Sequence, residues 1–243
     1  MTITGEFKDY KINVPASIYT YLNSEKFIVE GLNLVGLPTI GGYETAEYVK
    51  YGRKIQTEVE KFITISWEEN NEIDQYLTKN INCLKIHPRL LGLCLSKVDW
   101  DFISEACIEN DSIIGICTYI SASADEKFII NEYCSVINKL LRKGNKIIFY
   151  HAFSHLFKIF WNQYKDENVI FDTSFSLIRN FENVKHDYRA AIYEENGKIC
   201  FGSDFPDYSL DNYSPYLDEL FVGLTDHSKK KYLCENIKNY FKK

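Results

Sequence analysis

Lys85 and His87 stand two residues apart at the end of the apolar run INCLKIH (81–87), and Cys117 and Tyr119 stand likewise at the end of SIIGICTY (112–119). His151 closes KIIFYH (146–151), Asp172 closes NVIFD (168–172), and Asp204 closes KICFGSD (198–204). In an extended chain residues two apart share a face, so each pair would aim its polar groups the same way. Together these ends offer an ammonium, two imidazoles, a thiol, a phenol and two carboxylates, groups that bind a metal, move a proton or attack a carbon. His151 and Asp204 could be two ligands of a zinc-like divalent ion, with Cys117 or His87 as the third. They could equally be a base and its partner in a metal-free site. Cys117, with His151 and Asp204, could also be an activated nucleophile. A cysteine inside an apolar run is otherwise a small buried filler.

Lys85 is a candidate catalytic group, and Lys85 or Arg89 would orient an anionic substrate group. Tyr119 and Asp172 are candidate substrate contacts at neighbouring run ends. A lone arginine after a strand is more often a surface ion pair, and His87 before Pro88 could simply hold the loop that follows. His155, His186 and His227 fall in helix or loop contexts and read as solvated or capping residues.

The elements that must position these groups come next. Continuous apolar runs mark strands buried on both faces. They begin near residues 32, 61, 81, 112, 146, 168 and 198, as in LNLVGLP and KFITISW. The spacing averages about 30 residues, the length of a βαβ unit. Helical patterns fill the intervals, at 15–30, 44–55, 70–77, 98–109, 126–142, 154–164 and 175–193, with two more at 214–223 and 226–242. The rhythm predicts an α/β chain folded as a TIM (β/α)8 barrel, incomplete or distorted at the first strand. TITGEF in the first dozen residues is a poor candidate for the missing strand. In such a barrel, catalytic groups come from the carboxyl ends of several strands. Gly202 would let other backbone come close, and Pro206 would stop the ladder after Asp204. An aspartate before a proline can also serve only as a helix cap.

The 243 residues fit one domain, 1–243, without linker or low-complexity tract. The net charge of −6 and the lack of a basic stripe argue against nucleic acid as a partner. No apolar run approaches ~20 residues, so no membrane span is expected. Lys8 and Lys11 are not followed by an apolar core, so no secretory signal is expected. Seven cysteines without a CxxC pair read as reduced thiols of a cytoplasmic protein.

At these residues the sequence resembles the amidohydrolase-related metal-dependent hydrolases, the branch that also contains decarboxylases of aromatic acids. The resemblance runs from about Leu84 to the C-terminus. It rests on LKIHPRL (84–90), SIIGICTY (112–119), KIIFYHAF (146–153), NVIFDTS (168–174), CFGSDFP (200–206) and KKYLCENIKNYF (230–241), where Asn236 matches the asparagine of the family's closing helix. The resemblance implies a barrel with its site at the strand carboxyl ends. It implies that His151 is the histidine of the family's sixth strand. It implies that Asp204 is the aspartate of the eighth, a proton shuttle that often also binds metal. The chain departs from the family at two places. Met1 and Ile3 stand near where a first-strand His-x-His is expected, and Cys117 stands for the fifth-strand histidine.

The departures leave four expectations open: a rearranged metal site, a metal-free reaction with His151, Asp204 and Lys85, an inactive relative, or a motif lying before Met1. The preferred reading is a hydrolase, or a related lyase or decarboxylase, acting on a small polar metabolite. Zinc is the metal the resemblance implies, and a homodimer is plausible from the aromatic-rich composition and the family. The competing reading is a catalytically inactive barrel that binds a ligand or serves in assembly.

Overall fold

The computed structural model describes residues 6–7, 10–11, 21–36, 45–54, 59–67, 77, 81–92, 94–120, 125–205 and 207–242. Seven strands form one parallel sheet in strict chain order. They are β1 (Gly31–Val35), β2 (Glu60–Ser66), β3 (Cys83–Ile86), β4 (Ile113–Cys117), β5 (Ile147–Tyr150), β6 (Val169–Asp172) and β7 (Ile199–Cys200). The main helices are α1 (Thr45–Lys54), α2 (Trp100–Glu109), α3 (Glu126–Arg142), α4 (Phe157–Tyr164), α5 (Phe181–Tyr193) and α6 (Ser214–Leu220), with α7 (Asn236–Lys242) at the end. Sequential parallel order with a helix in five of the six crossovers, the β2–β3 connection lying mostly outside the described residues, is the architecture of a (β/α) barrel. Among the described residues β7 does not pair with β1, so the barrel is open at that seam. A cavity of about 410 Å³ lies there, lined by Gly31, Leu32 and Asn33 on one side and Phe201, Gly202, Ser203 and Asp204 on the other.

The strand pleat sorts the apolar residues into two cores. Leu84, Ile86, Ile114, Ile116, Ile147, Phe149, Val169 and Phe171 face outward and pack with the helices. Cys83, Ile113, Ile148, Tyr150, Ile170 and Cys200 alternate with them and form an inner core. This inner core is closed from below by α7. Tyr240 packs on it, donates from its hydroxyl to Asn168 O at 2.8 Å, and accepts from Ile147 N at 2.9 Å. Above this layer the inner positions turn polar, and that change of composition creates the site.

Local chemistry sets the helix limits. Asp99 accepts from Phe102 N at the start of α2, and Asp125 accepts from Lys127 N and Phe128 N at the start of α3. Tyr133, Val136, Ile137 and Leu140 form the buried stripe of α3 at helical spacing. Among the described residues no helix is long and apolar enough to cross a membrane. All seven cysteines are free thiols.

Several element boundaries correct the sequence reading. The helix expected over 15–30 is not continued after Leu22. Ser24 Oγ accepts from Phe27 N and donates to Asp211, and this local turn replaces the next helical one. The helix expected over 175–193 breaks at Asn180 into Ser176–Arg179 and α5. The closing helix passes through a π-helical turn, Lys231–Glu235, between Asp226–Lys230 and α7. The strand expected over 198–204 pairs only at Ile199–Cys200, because Phe201 N turns away to Tyr232 O. A short helix, Pro88–Leu91, follows β3 unannounced. Glu6–Phe7 pairs antiparallel with Tyr10–Lys11 in a separate ribbon, so these residues supply no barrel strand. The helix expected at 70–77 lies outside the described residues apart from Leu77.

Candidate functional site

Parallel register brings the polar run ends to one end of the sheet. Lys85 pairs with Gly115, Cys117 with Tyr150, Tyr150 with Asp172, and Asp172 with Cys200. Gly115 makes this possible, since a Cβ there would lie 2.7 Å from Tyr150 Cε2 and 2.9 Å from Cys83 Sγ. Tyr150 therefore fills the barrel interior, accepting from Asn33 Nδ2 at 2.9 Å. Lys85 Nζ lies 4.1 Å from the centroid of the Tyr150 ring. Lys85 is 3 % exposed and, among the described residues, its ammonium has no ion-pair partner. A buried cation without a counter-ion is costly, so this ammonium is a strong candidate for an anionic group of a ligand.

His151 and Asp204 follow their strands in the left-handed region, at φ 70° and 52°. Ala152, Phe153 and Ser154 continue the left-handed path, and Phe175 joins them at φ 60°. Non-glycine residues rarely sit there, and such strain gathers at functional sites. His151 is fixed by Ser174, whose carbonyl accepts from Nδ1 at 3.0 Å. That bond puts a proton on Nδ1. The ring also meets Tyr119 and Phe175 edge-on, at centroid distances of 6.3 and 5.8 Å.

The thiol of Cys117 lies against His151 and His87. Burial alone would raise it, yet the two imidazoles, His151 first, hold it well below the usual thiol range. Burial opposes the charge on His151 as well, but Cys117 and then Asp204 raise it to about 9. His87 is different. Burial, then the Lys85 ammonium, push it down to about 4, and it is neutral. It is 2 % exposed, and among the described residues neither ring nitrogen makes a hydrogen bond of ordinary geometry, though the ring lies against the Cys117 thiol. It precedes Pro88 without capping the short helix, so holding the loop does not account for its ring.

Asp172 Oδ1 accepts from Ser174 N at 2.8 Å, and burial raises this carboxyl. Arg89 is exposed at the rim, its guanidinium 5.2 Å from the Tyr119 ring centroid. Arg179 also reaches the rim, 5.4 Å from the Phe175 ring. The structure thus groups Lys85, His87, Cys117, Tyr119, His151, Asp172 and Asp204, with Arg89 above them. Asp172, Ser174 and Asp204 also line the seam cavity, whereas His87, Cys117 and His151 do not. Among the described residues no three His, Cys, Asp or Glu side chains are arranged to hold a metal ion. As they stand, His87, Cys117, His151 and Asp204 do not make a metal-ligand set.

Ser174, Phe175 and Arg179 were not singled out by sequence. Ser174 and Phe175 directly follow Asp172 at a strand end, and that position was the available signal. Arg179 has no such signal, because a helix turn folds it back.

No family model and no curated protein matches the sequence. Solved structures do match. An uncharacterised TIM-barrel protein from Bordetella bronchiseptica is 12% identical with a TM-score of 0.69, over 86% of this chain and 77% of its own. A probable 2-pyrone-4,6-dicarboxylic acid hydrolase from Acinetobacter baumannii, with citric acid bound, is 13% identical with a TM-score of 0.71, over 98% and 92%. Dihydroorotase from Campylobacter jejuni is 14% identical with a TM-score of 0.67, over 100% and 81%. These likenesses agree with the strand order: the chain has the TIM-barrel fold, open at one seam.

Proposed function

We propose that this chain is a hydrolase of the amidohydrolase-like type acting on a small metabolite that carries an acidic group. The observation that carries the reading is the placement of His151 and Asp204 at carboxyl ends of the same parallel sheet. They follow β5 and β7, with β6 between, both in left-handed backbone, and the Asp204 charge raises His151. Asp204 takes a proton from the attacking water. The oxygen adds to a carbonyl carbon, His151 stabilises the charge that develops on the carbonyl oxygen, and the acyl C–O or C–N bond then breaks as the leaving group takes the proton from Asp204. Lys85 neutralises the acidic group from inside the barrel, and Arg89 draws it in from the rim. Tyr119 and Asp172 complete the lining.

Two of the fold relatives support the choice of substrate class, one as a hydrolase of a dicarboxylic acid with citric acid bound, the other as a dihydroorotase. The test is proton release from a panel of acid-bearing lactones, cyclic amides and esters. Wild type should turn over at least one of them, and Asp204→Asn should lose about 10²-fold or more. A second reading, a ligand-binding barrel without turnover, is favoured by the lack of a metal-ligand arrangement among the described residues. Saturable binding of a panel member without any proton release would establish it instead.

A further inference from the structure

We propose that the cavity in the open seam is the compartment of the leaving group. The substrate is then an open-chain ester or amide. Its acid-bearing acyl half lies on the Lys85 side, and its apolar alcohol or amine half lies in the seam. The inference rests on the hydrolase reading and adds the class of molecule released.

The cavity, about 410 Å³, changes character along its length. Beside α7 it is apolar, lined by Leu32, Phe62, Ile237 and Phe241, with the Phe62 and Phe241 rings stacked at 4.5 Å. At the carboxyl ends of the strands its lining turns to Asp172, Ser174 and Asp204. A cavity of ~150 Å³ accepts benzene, so this one has room for an aromatic ring and a short linker. Three residues of its wall also border the catalytic groups. Ser174 O accepts from His151 Nδ1 at 3.0 Å, so the imidazole stands directly behind the wall. Tyr150 carries Lys85 Nζ 4.1 Å from its ring centroid, so the ammonium does too. Asp204 is itself on the wall. Among the described residues its carboxylate has no hydrogen bond and no ion pair, which leaves it able to hand a proton to a group in the cavity.

Charge sorts the two halves of the substrate. Lys229, Lys230 and Lys238 also line the cavity, and each is already paired, with Asp226 at 2.9 Å, Glu235 at 3.1 Å and Glu30 at 3.6 Å. Among the described residues the seam thus offers an acidic group no unpaired cation, whereas Lys85 behind Tyr150 is unpaired. The acid goes to Lys85, and the uncharged, apolar half goes to the seam. A cyclic ester or amide has no separate half to place there. The step balances with water alone. Water gives one proton to Asp204 as its oxygen adds to the acyl carbon. The acyl C–O or C–N bond breaks, and the leaving oxygen or nitrogen takes that proton from Asp204. The products are an alcohol or amine in the seam and a carboxylic acid, which loses its proton to solvent.

The test compares monomethyl succinate with monobenzyl succinate, using the full chain at neutral pH. The two share one acyl half, and their alcohols leave with similar ease. The value of kcat/KM should favour the benzyl ester by about tenfold or more, the usual worth of burying a phenyl ring. Benzyl alcohol alone should bind wild type saturably, read by calorimetry. Leu233→Trp and Ile237→Phe, which fill the seam from the side of the closing helices, should weaken that binding about tenfold or more and bring the ratio of the two esters close to one. The measurements on wild type do not depend on a variant folding. Equal kcat/KM for the two esters, with no binding of benzyl alcohol, overturns the proposal and leaves the hydrolase reading intact. Binding of benzyl alcohol that both variants leave unchanged places it elsewhere and also overturns the proposal. Binding lost in the variants, with neither ester nor any panel substrate turned over, keeps the seam as a site for an apolar alcohol. That outcome removes the hydrolase reading and the leaving-group role with it.

Discussion

Gly202 leaves the space that the carboxylate of Asp172 occupies. A Cβ at position 202 would overlap Asp172 Oδ2 and lie 2.9 Å from both its Cγ and Oδ1. The carboxylate cannot swing freely away, because Ser174 N donates to Oδ1 at 2.8 Å. The same Ser174 holds His151 through its carbonyl. Gly202, Asp172, Ser174 and His151 therefore form one chain of contacts beneath the proposed reaction centre.

Gly202→Ala should accordingly destabilise the protein by about 1–3 kcal/mol, the usual cost of overpacking. It should also lower turnover by displacing Ser174. Chemical denaturation of Gly202→Ala, Asp172→Ala and the double variant gives the check. The alanine at 202 should cost much less once the Asp172 carboxylate is gone, and additive effects would disprove the contact.

At Asp204 the backbone and the side chain can be separated. Its φ of 52° suits asparagine and glycine and penalises alanine. Asp204→Asn should abolish turnover with an unchanged or raised Tm. Asp204→Ala should abolish turnover and lose about 1 kcal/mol of stability. A large loss of stability in Asp204→Asn would make Asp204 a structural cap.

Lys85 has no ion-pair partner among the described residues, and its ammonium sits on the Tyr150 ring inside the barrel. Lys85→Met keeps the stem and removes the charge. Its Tm should rise, because a buried cation is exchanged for an apolar group. Binding of acidic ligands, read by calorimetry, should weaken about tenfold or more. A fall in Tm would instead show that the cation–π contact outweighs desolvation.

Much of this arrangement was legible in the sequence, for a physical reason. Strands buried on both faces read as unbroken apolar runs, so all seven were recognisable, and so were the polar residues that ended them. Where the chain was read wrongly, a local side-chain bond decided the outcome. Ser24 capturing Phe27 N ended a helix that apolar spacing would have continued. The left-handed turn at 151–154, the lack of an ordinary hydrogen bond at His87 and the Gly202–Asp172 contact depend on groups distant in the chain. Periodicity carries no information about them.

Elemental analysis of protein purified without chelator or immobilised metal should find well under one equivalent of zinc, manganese or iron. A metal centre needs about three protein ligands, and among the described residues no such group is assembled. Near-stoichiometric metal would show that the ligands rearrange around it. Cys117→Ser and His87→Ala would then identify the third donor beside His151 and Asp204.

His87 predicts an acid-sensitive stability. Its folded-state value is about 4 against 6.5 for a free imidazole, because burial and then the Lys85 ammonium oppose the charge. The unfolded chain therefore binds the extra proton first as pH falls. Stability from the neutral ring is complete above pH 6.5 and is lost as pH drops to about 4, by roughly 3 kcal/mol if no other group responds. His151 acts in the opposite sense and in another window. Raised to about 9, it contributes stability below pH 6.5 that fades as pH climbs through 9. Urea unfolding at pH 7 and pH 4.5 separates the two by sign, since over that interval falling pH removes the His87 contribution and slightly increases that of His151. His87→Gln should flatten the difference between these two pH values. An equally steep loss in His87→Gln would assign the acid sensitivity to the carboxylates and remove the buried neutral imidazole from the account.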